Sequence, residues 1–171
     1  LEIEDVNFGF KNINLFDSLM LDRYSIEFVR EEIKKIKSNK DLFVSQAGYE
    51  CEIDYKLDFL TVSKDEISVS EANELVDSGT VRYILLTSSN LPARLISLEG
   101  TIEIIPPDFK TINANGAGDT TAAYIAAFGV GNLILTIKKA CAAGAIVAGT
   151  NEQPTIEKIE EISQLVEVNP R

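Results

Sequence analysis

Apolar residues recur along this chain in two rhythms, and the alternation between them outlines the fold. "LFDSLML" (15–21), "DLFVSQAG" (41–48), "LDFLTVS" (57–63) and "RYILLTS" (82–88) are short apolar runs of strand length. The last is almost continuously apolar, as in a strand buried on both faces of a parallel sheet. Between them, "YSIEFVREEIKKIKSNK" (24–40) carries Ile26, Phe28, Val29, Ile33 and Ile36 near helical spacing. "VSEANELVDSG" (69–79) reads as a short helix with Ser70 as its cap and Gly79 as its stop. "ARLISLEGTIEIIP" (93–106) reads as a hairpin turning at Glu99-Gly100. Two helices, from about 118 to 130 and from 133 to 149, follow a glycine loop. A last one spans 154–167, with Pro154 at its start and Thr155 near its cap.

Strands alternating with helices point to an α/β domain with a mostly parallel sheet. Its 171 residues suffice for one domain with a real core. The opening "LEIEDVNFGFKNIN" has neither a start methionine nor a clean strand pattern. Residues 1–14 are therefore expected to be the irregular start of a fragment, and 15–171 its α/β part.

Charge and composition narrow the function. Lys and Arg number 16 against 27 Asp and Glu, a net charge of −11, which disfavours nucleic acid as a partner. A nucleotide is still compatible, because magnesium and a helix N-terminus can hold phosphates locally. The sequence has no histidine, which removes Ser-His-Asp and Cys-His catalysis and His-ligated metals. Two cysteines, Cys51 and Cys141, make no disulfide framework. No leader is recognised and the longest apolar stretch, "ACAAGAIVAG" (140–149), is short, so the expectation is a cytoplasmic protein with no membrane partner.

The chemistry concentrates in "NANGAGDTTAAYIAAF" (113–128). Gly116, Ala117 and Gly118 leave backbone N–H groups unobstructed where a loop enters a helix. The helix's positive end points to the same spot, a donor set suited to a phosphate. Asp119, in the first turn, is placed to accept a proton from an attacking hydroxyl while the amides hold phosphoryl charge. The plainer reading also fits: Asn-Gly and Ala-Gly are ordinary turn residues, and aspartate is common in a helix's first turn.

"NGAGDT" followed by an Ala-rich helix resembles the second signature of the ribokinase/PfkB family of carbohydrate and nucleoside kinases, Asp-Thr-x-Gly-Ala-Gly-Asp. That resemblance implies a ribokinase-like fold, a mostly parallel sheet flanked by helices on both faces, present as a partial domain. It implies Asp119 as catalytic base, Gly116, Ala117 and Gly118 as the anion hole, and ATP with Mg2+ as phosphoryl donor. "SKDE" (63–66) stands where the family has Asn-x-x-Glu, so Glu66 takes the acidic position that orders magnesium through water. "ILLTSSNLPARLI" (84–96) matches the Thr-x-Gly-x-x-Gly strand and loop that packs on the nucleotide, and "KKACAAGAIVAGTNEQPTIEKIEEI" (138–162) the closing helix beside the adenine. Ser63, Thr87, Ser89, Cys141 and Gly144 thereby become nucleotide-binding candidates.

The sequence departs from the pattern at several points. Asn113 and Ala114 replace the motif's leading Asp-Thr, which removes a carboxylate often tied to a monovalent cation and argues against potassium. Ser63 replaces an asparagine, and Ser88, Ser89 and Asn90 stand where glycines let backbone approach the nucleotide. Family members are longer, and the part without a counterpart here carries the acceptor-binding glycines and a β-sheet lid. Asp22 and Arg23 follow the first strand where the family has a polar loop near the site, but they carry little weight on sequence alone. Cys141 reads first as a packed core thiol, Thr87 equally as a strand end, and "REEIKK" as a solvated face. The resulting expectation is an ATP-dependent kinase acting on a small-molecule sugar, polyol or nucleoside hydroxyl, with a homodimer left open. The alternative is a non-catalytic nucleotide- or metabolite-binding or regulatory module of the same fold.

Overall fold

The computed structural model describes residues 10, 12–39, 41–49, 52–89, 91–150 and 152–170. The opening segment 1–9, Cys51 and Asn90 lie outside the described residues. Seven strands among the described residues form one sheet in chain order: β1 (Ser18–Asp22), β2 (Phe43–Ala47), β3 (Leu57–Ser63), β4 (Val81–Ser88), β5 (Leu91–Ser97), β6 (Gly100–Ile105) and β7 (Glu167–Pro170). β1 to β4 pair in parallel, and β5, β6 and β7 are added antiparallel. Five of the seven strands therefore run in one direction, and the hairpin supplies the mixed half.

Among the described residues, five α-helices cover the sheet: α1 (Ile26–Asn39), α2 (Val69–Asp77), α3 (Ala117–Phe128), α4 (Leu133–Thr150) and α5 (Ile156–Ser163). Neighbouring side chains in a strand point to opposite faces, and the core divides accordingly. Leu60, Ile84 and Ile96 pack with α1 and α2 through Ile26, Ile33 and Val76. Phe59, Leu85 and Leu95 pack on the other face with α3 and α4 through Ile125, Ile137 and Ala140. Each fully buried Ile or Leu removes enough apolar surface from water to contribute about 1.5–3 kcal/mol. α4 is long and apolar enough to span a membrane by length and composition alone. Here its Ile137, Ala140, Ala142 and Ile146 are buried in the core.

Differences from the sequence expectations have local causes. Leu15 and Phe16 do not enter β1; Ile13–Leu15 form a 3-10 turn, and both side chains are exposed. α2 is capped by Ser68, not Ser70: Ser68 Oγ accepts from the Glu71 amide, and Glu71 Oε2 accepts from the Ser68 amide. That reciprocal box satisfies two orphan amides at once. The last helix stops at Ser163 instead of continuing to 167, and Glu167–Pro170 pairs with β6. Pro170 lacks an amide donor, so this strand is tolerated only at an edge.

Ser68→Ala is expected to lower stability by about 1 kcal/mol, and Ser70→Ala to change it by less than about 0.5 kcal/mol, in urea denaturation.

Candidate active site

The parallel strands end together on one side of the sheet, at Asp22, Ala47, Ser63 and Ser88. Ligands of open α/β sheets sit beyond such carboxyl ends. Two cavities open there, of about 340 Å³ and 510 Å³. Apolar side chains dominate the smaller one, including Leu91, Ile104, Pro106, Phe109 and Ala145. Polar and charged groups line much of the larger, among them Asp22, Arg23, Glu66 and Asp119. Ser63, Thr87 and Gly118 belong to both, so the cavities meet at the head of α3.

Local backbone chemistry places that helix head. Asn113 Oδ1 accepts from the Asn115 amide at 3.0 Å, closing a tight turn. The Ile112 and Asn113 amides both donate to the Ala148 carbonyl near the end of α4, pinning the loop. Gly116 caps α3 at φ +79°, in the left-handed region. The Ala117 amide donates to the Ala114 carbonyl at 3.2 Å. Among the described residues, the Gly118 and Asp119 amides have no backbone acceptor, as expected for a helix's first turn. Gly116 itself lines neither cavity, so its part is to set the turn, while Ala117 and Gly118 line the apolar side and Gly118 and Asp119 the polar side.

Asp119 is exposed, and its carboxylate has no hydrogen-bond or ion-pair partner among the described residues. It is not spent on capping its own helix, so it is available to chemistry at the cavity wall. Glu66 lines the same cavity but is engaged. Its Oε2 accepts from the Ser63 amide at 2.8 Å; its Oε1 accepts from Arg23 Nη1 at 2.9 Å and from the Tyr49 amide at 3.3 Å. The Arg23 and Glu66 side chains are 42% and 19% exposed, and an ion pair that wet contributes only about 0–1 kcal/mol. Among the described residues, no group of three or more Asp, Glu, Cys or His could hold a metal alone. Asp22, Glu66 and Asp119 line one cavity without forming such a group.

All five nucleotide-binding candidates, Ser63, Thr87, Ser89, Cys141 and Gly144, line the apolar cavity. Ser89 has φ +51°, the left-handed geometry for which glycine is the usual residue. Thr87 Oγ1 donates to the Val62 carbonyl, binding β4 to β3 at the junction. Burial pushes the Cys141 thiol up to about 12. Gly144 is a close approach between helices: a Cβ there would lie 2.3 Å from Thr121 Oγ1 and 2.9 Å from the Ala117 carbonyl oxygen. Thr121 Oγ1 donates to that same carbonyl, so α4 fixes the first turn of α3 through this contact.

Sequence reasoning gave little weight to Arg23 and passed over Gly48, Pro106 and Phe109. Gly48, at φ +79° directly after a strand, was the one with a local signal. The others reach the site only through tertiary folding.

Solved structures with this architecture are numerous at low identity. Phosphofructokinase-2 from Escherichia coli in complex with potassium superposes with a TM-score of 0.75 at 15% identity, covering 96% of this chain and 62% of that one. The fold is ribokinase-like. Ribokinase from Thermotoga maritima gives 0.76 at 17% identity, covering 95% and 62%. The microbiome-derived acarbose kinase Mak1 gives 0.73 at 17%, covering 96% and 60%. This ribokinase-like chain thus spans about three fifths of the length of these three structures. No family model and no curated protein matches it.

Gly144→Ala is expected to cost about 1–3 kcal/mol by forcing α4 away from α3, read as a lower urea midpoint. At pH 8, iodoacetamide should modify Cys141 on the order of a thousandfold more slowly in the folded than in the unfolded chain. Site-resolved mass spectrometry measures this.

Proposed function

We propose that this chain carries the nucleotide site and the general base of a kinase that moves the γ-phosphoryl group of ATP to a hydroxyl of a sugar, polyol or nucleoside. One observation carries the reading: an unpartnered carboxylate, Asp119, adjoins free first-turn amides where an apolar and a polar cavity meet. A planar base suits the apolar cavity, and its phosphates would then run past Ser63, Thr87 and Gly118 into the polar one. Asp119 would take the proton as the acceptor O–H bond breaks. The freed oxygen attacks the γ-phosphorus, and the bond to the β-phosphate oxygen breaks, releasing ADP. The Gly118 and Asp119 amides donate to the oxygens of the moving phosphoryl group and stabilise charge where it accumulates. Bound Mg2+ would neutralise phosphate charge, with Glu66 reaching it through water. A small-molecule acceptor and a cytoplasmic setting belong to the same proposal.

The second reading, a non-catalytic nucleotide- or metabolite-binding or regulatory module, draws on Ser89 in a backbone geometry that favours glycine and on a Glu66 already paired with Arg23. A binding module has no use for a free carboxylate beside those amides, which is why the kinase is preferred.

ADP release is to be followed with MgATP and a panel of acceptors: ribose, fructose, a sugar acid, inositol and a nucleoside. Asp119→Asn is expected to lower turnover about 10²–10⁴-fold while leaving MgATP affinity within about twofold. Turnover within a few-fold of the parent would refute the base assignment. ATP binding with no turnover on any acceptor would favour the module.

A further inference from the structure

The polar cavity is lined by three carboxylates and a single cation among the described residues, Arg23. In a chain of net charge −11, general attraction cannot draw a polyphosphate to that cavity. Arg23 sits in the turn directly after β1, and that turn is stiffened by the chain itself: Asp22 Oδ1 accepts from the Tyr24 amide at 2.7 Å and from the Ser25 amide at 3.0 Å. The guanidinium lies 5.5 Å from the centroid of the Tyr24 ring and donates to Glu66 through Nη1. A guanidinium has five N–H donors, and among the described residues no other protein acceptor takes one of Arg23's. The remaining fork is on the cavity wall, in the planar form that matches phosphate oxygens.

The surroundings are shaped to this pair. Gly48 directly follows β2 at φ +79°, and a Cβ there would lie 3.1 Å from Glu66 Oε1 and 3.3 Å from Arg23 Nε. The backbone at that point is in turn held by a buried relay: Tyr55 Oη donates to Gln46 Oε1 at 2.6 Å, and Gln46 Nε2 donates to the Gly48 carbonyl at 2.9 Å. The loop, the glycine and the carboxylate together hold an arginine at the wall of the cavity that Asp119 also lines.

We propose that Arg23 is a phosphate-binding residue of the polar cavity, exchanging Glu66 for the oxygens of a nucleotide's polyphosphate. The exchange removes Arg23 from Glu66 Oε1, which keeps the 3.3 Å hydrogen bond from the Tyr49 amide and can then also serve a hydrated cation, and it brings a positive charge to a phosphoryl group in the cavity that Asp119 lines. Charge stays balanced, because each anion that loses one cation gains another. The inference rests on the kinase reading and adds to it a residue that the glycine signature does not contain.

The test is calorimetric titration of the 171-residue chain and its Arg23→Gln, Arg23→Lys and Glu66→Gln variants with MgATP, metal-free tripolyphosphate, adenosine and ribose 5-phosphate. Circular dichroism checks that each variant folds. Arg23→Gln is expected to weaken MgATP and tripolyphosphate about tenfold or more, since an ionic hydrogen bond to phosphate is lost, and to leave adenosine unchanged. Arg23→Lys should recover part of the loss. Glu66→Gln should tighten metal-free tripolyphosphate, because it removes the carboxylate that competes for the arginine. If Arg23 only clamps Glu66, the two neutral variants will weaken every phosphate probe alike, and the proposal fails. It fails as well if Arg23→Gln binds MgATP as the parent does, or if only ribose 5-phosphate responds. Either result leaves the kinase reading standing. A parent chain that binds tripolyphosphate through Arg23 yet shows no preference for ATP over it would support the arginine's role and count against the nucleotide site. A parent that binds neither would overturn both.

Discussion

The site depends on where α3 begins. Gly116 takes a left-handed backbone that a side-chain-bearing residue enters at a cost of about 1–2 kcal/mol. That single turn swings the chain so that the first-turn amides of α3 open toward the ends of the parallel strands. Two sets of contacts hold the turn there: the Ile112 and Asn113 amides on the Ala148 carbonyl, and the close fit of Thr121 against Gly144. The sheet contributes by ending its parallel strands in register, which brings Asp22, Gly48, Ser63 and Thr87 to the same rim. Were α3 to start a residue earlier or later, Asp119 would rotate by about 100° around the helix and leave the polar cavity.

Polarity is divided across that helix head. Apolar side chains from β5, β6 and the 106–109 segment meet α4 on one side, and the carboxylates and Arg23 occupy the other. Under the proposed function, this arrangement is how an acidic protein would hold an anion. Free amides, a helix end and one arginine act over a few ångströms, a range at which they outweigh charges that solvent screens over roughly 10 Å. The Arg23–Glu66 pair, partly wet, contributes only about 0–1 kcal/mol to stability, as the proposed exchange requires.

Much of this could be read in the sequence, and the part that could not has physical reasons. The buried strands and amphipathic helices were legible because each is periodic over its own length. β7 was not, since "EVNP" is short, half polar and ends in proline, and Leu165 and Val166 prolong the helical rhythm before it. The cap of α2 was misplaced by two residues because Ser68 and Ser70 are both good caps, and only Ser68 has a glutamate three residues on to complete the box. Asp119 was singled out through the Gly-Ala-Gly-Asp resemblance, and the five candidates on the apolar wall through the segments 63–66, 84–96 and 138–162 that accompany it. Arg23 had no motif to advertise it: its position beside Glu66 arises from the turns after β1 and β3, and the two residues are 43 apart in sequence. Ser89 holds a left-handed backbone for which glycine is the usual residue, a fact of conformation that composition does not record.

The most direct measurement is a crystal structure of the chain with MgADP and a planar phosphoryl mimic such as aluminium fluoride. The account predicts the base between Phe109, Leu91 and the α4 wall, the mimic against the Gly118 and Asp119 amides, and the Asp119 carboxylate within hydrogen-bond reach of the mimic's open face. A nucleotide bound elsewhere, or a mimic out of reach of Asp119, would contradict it.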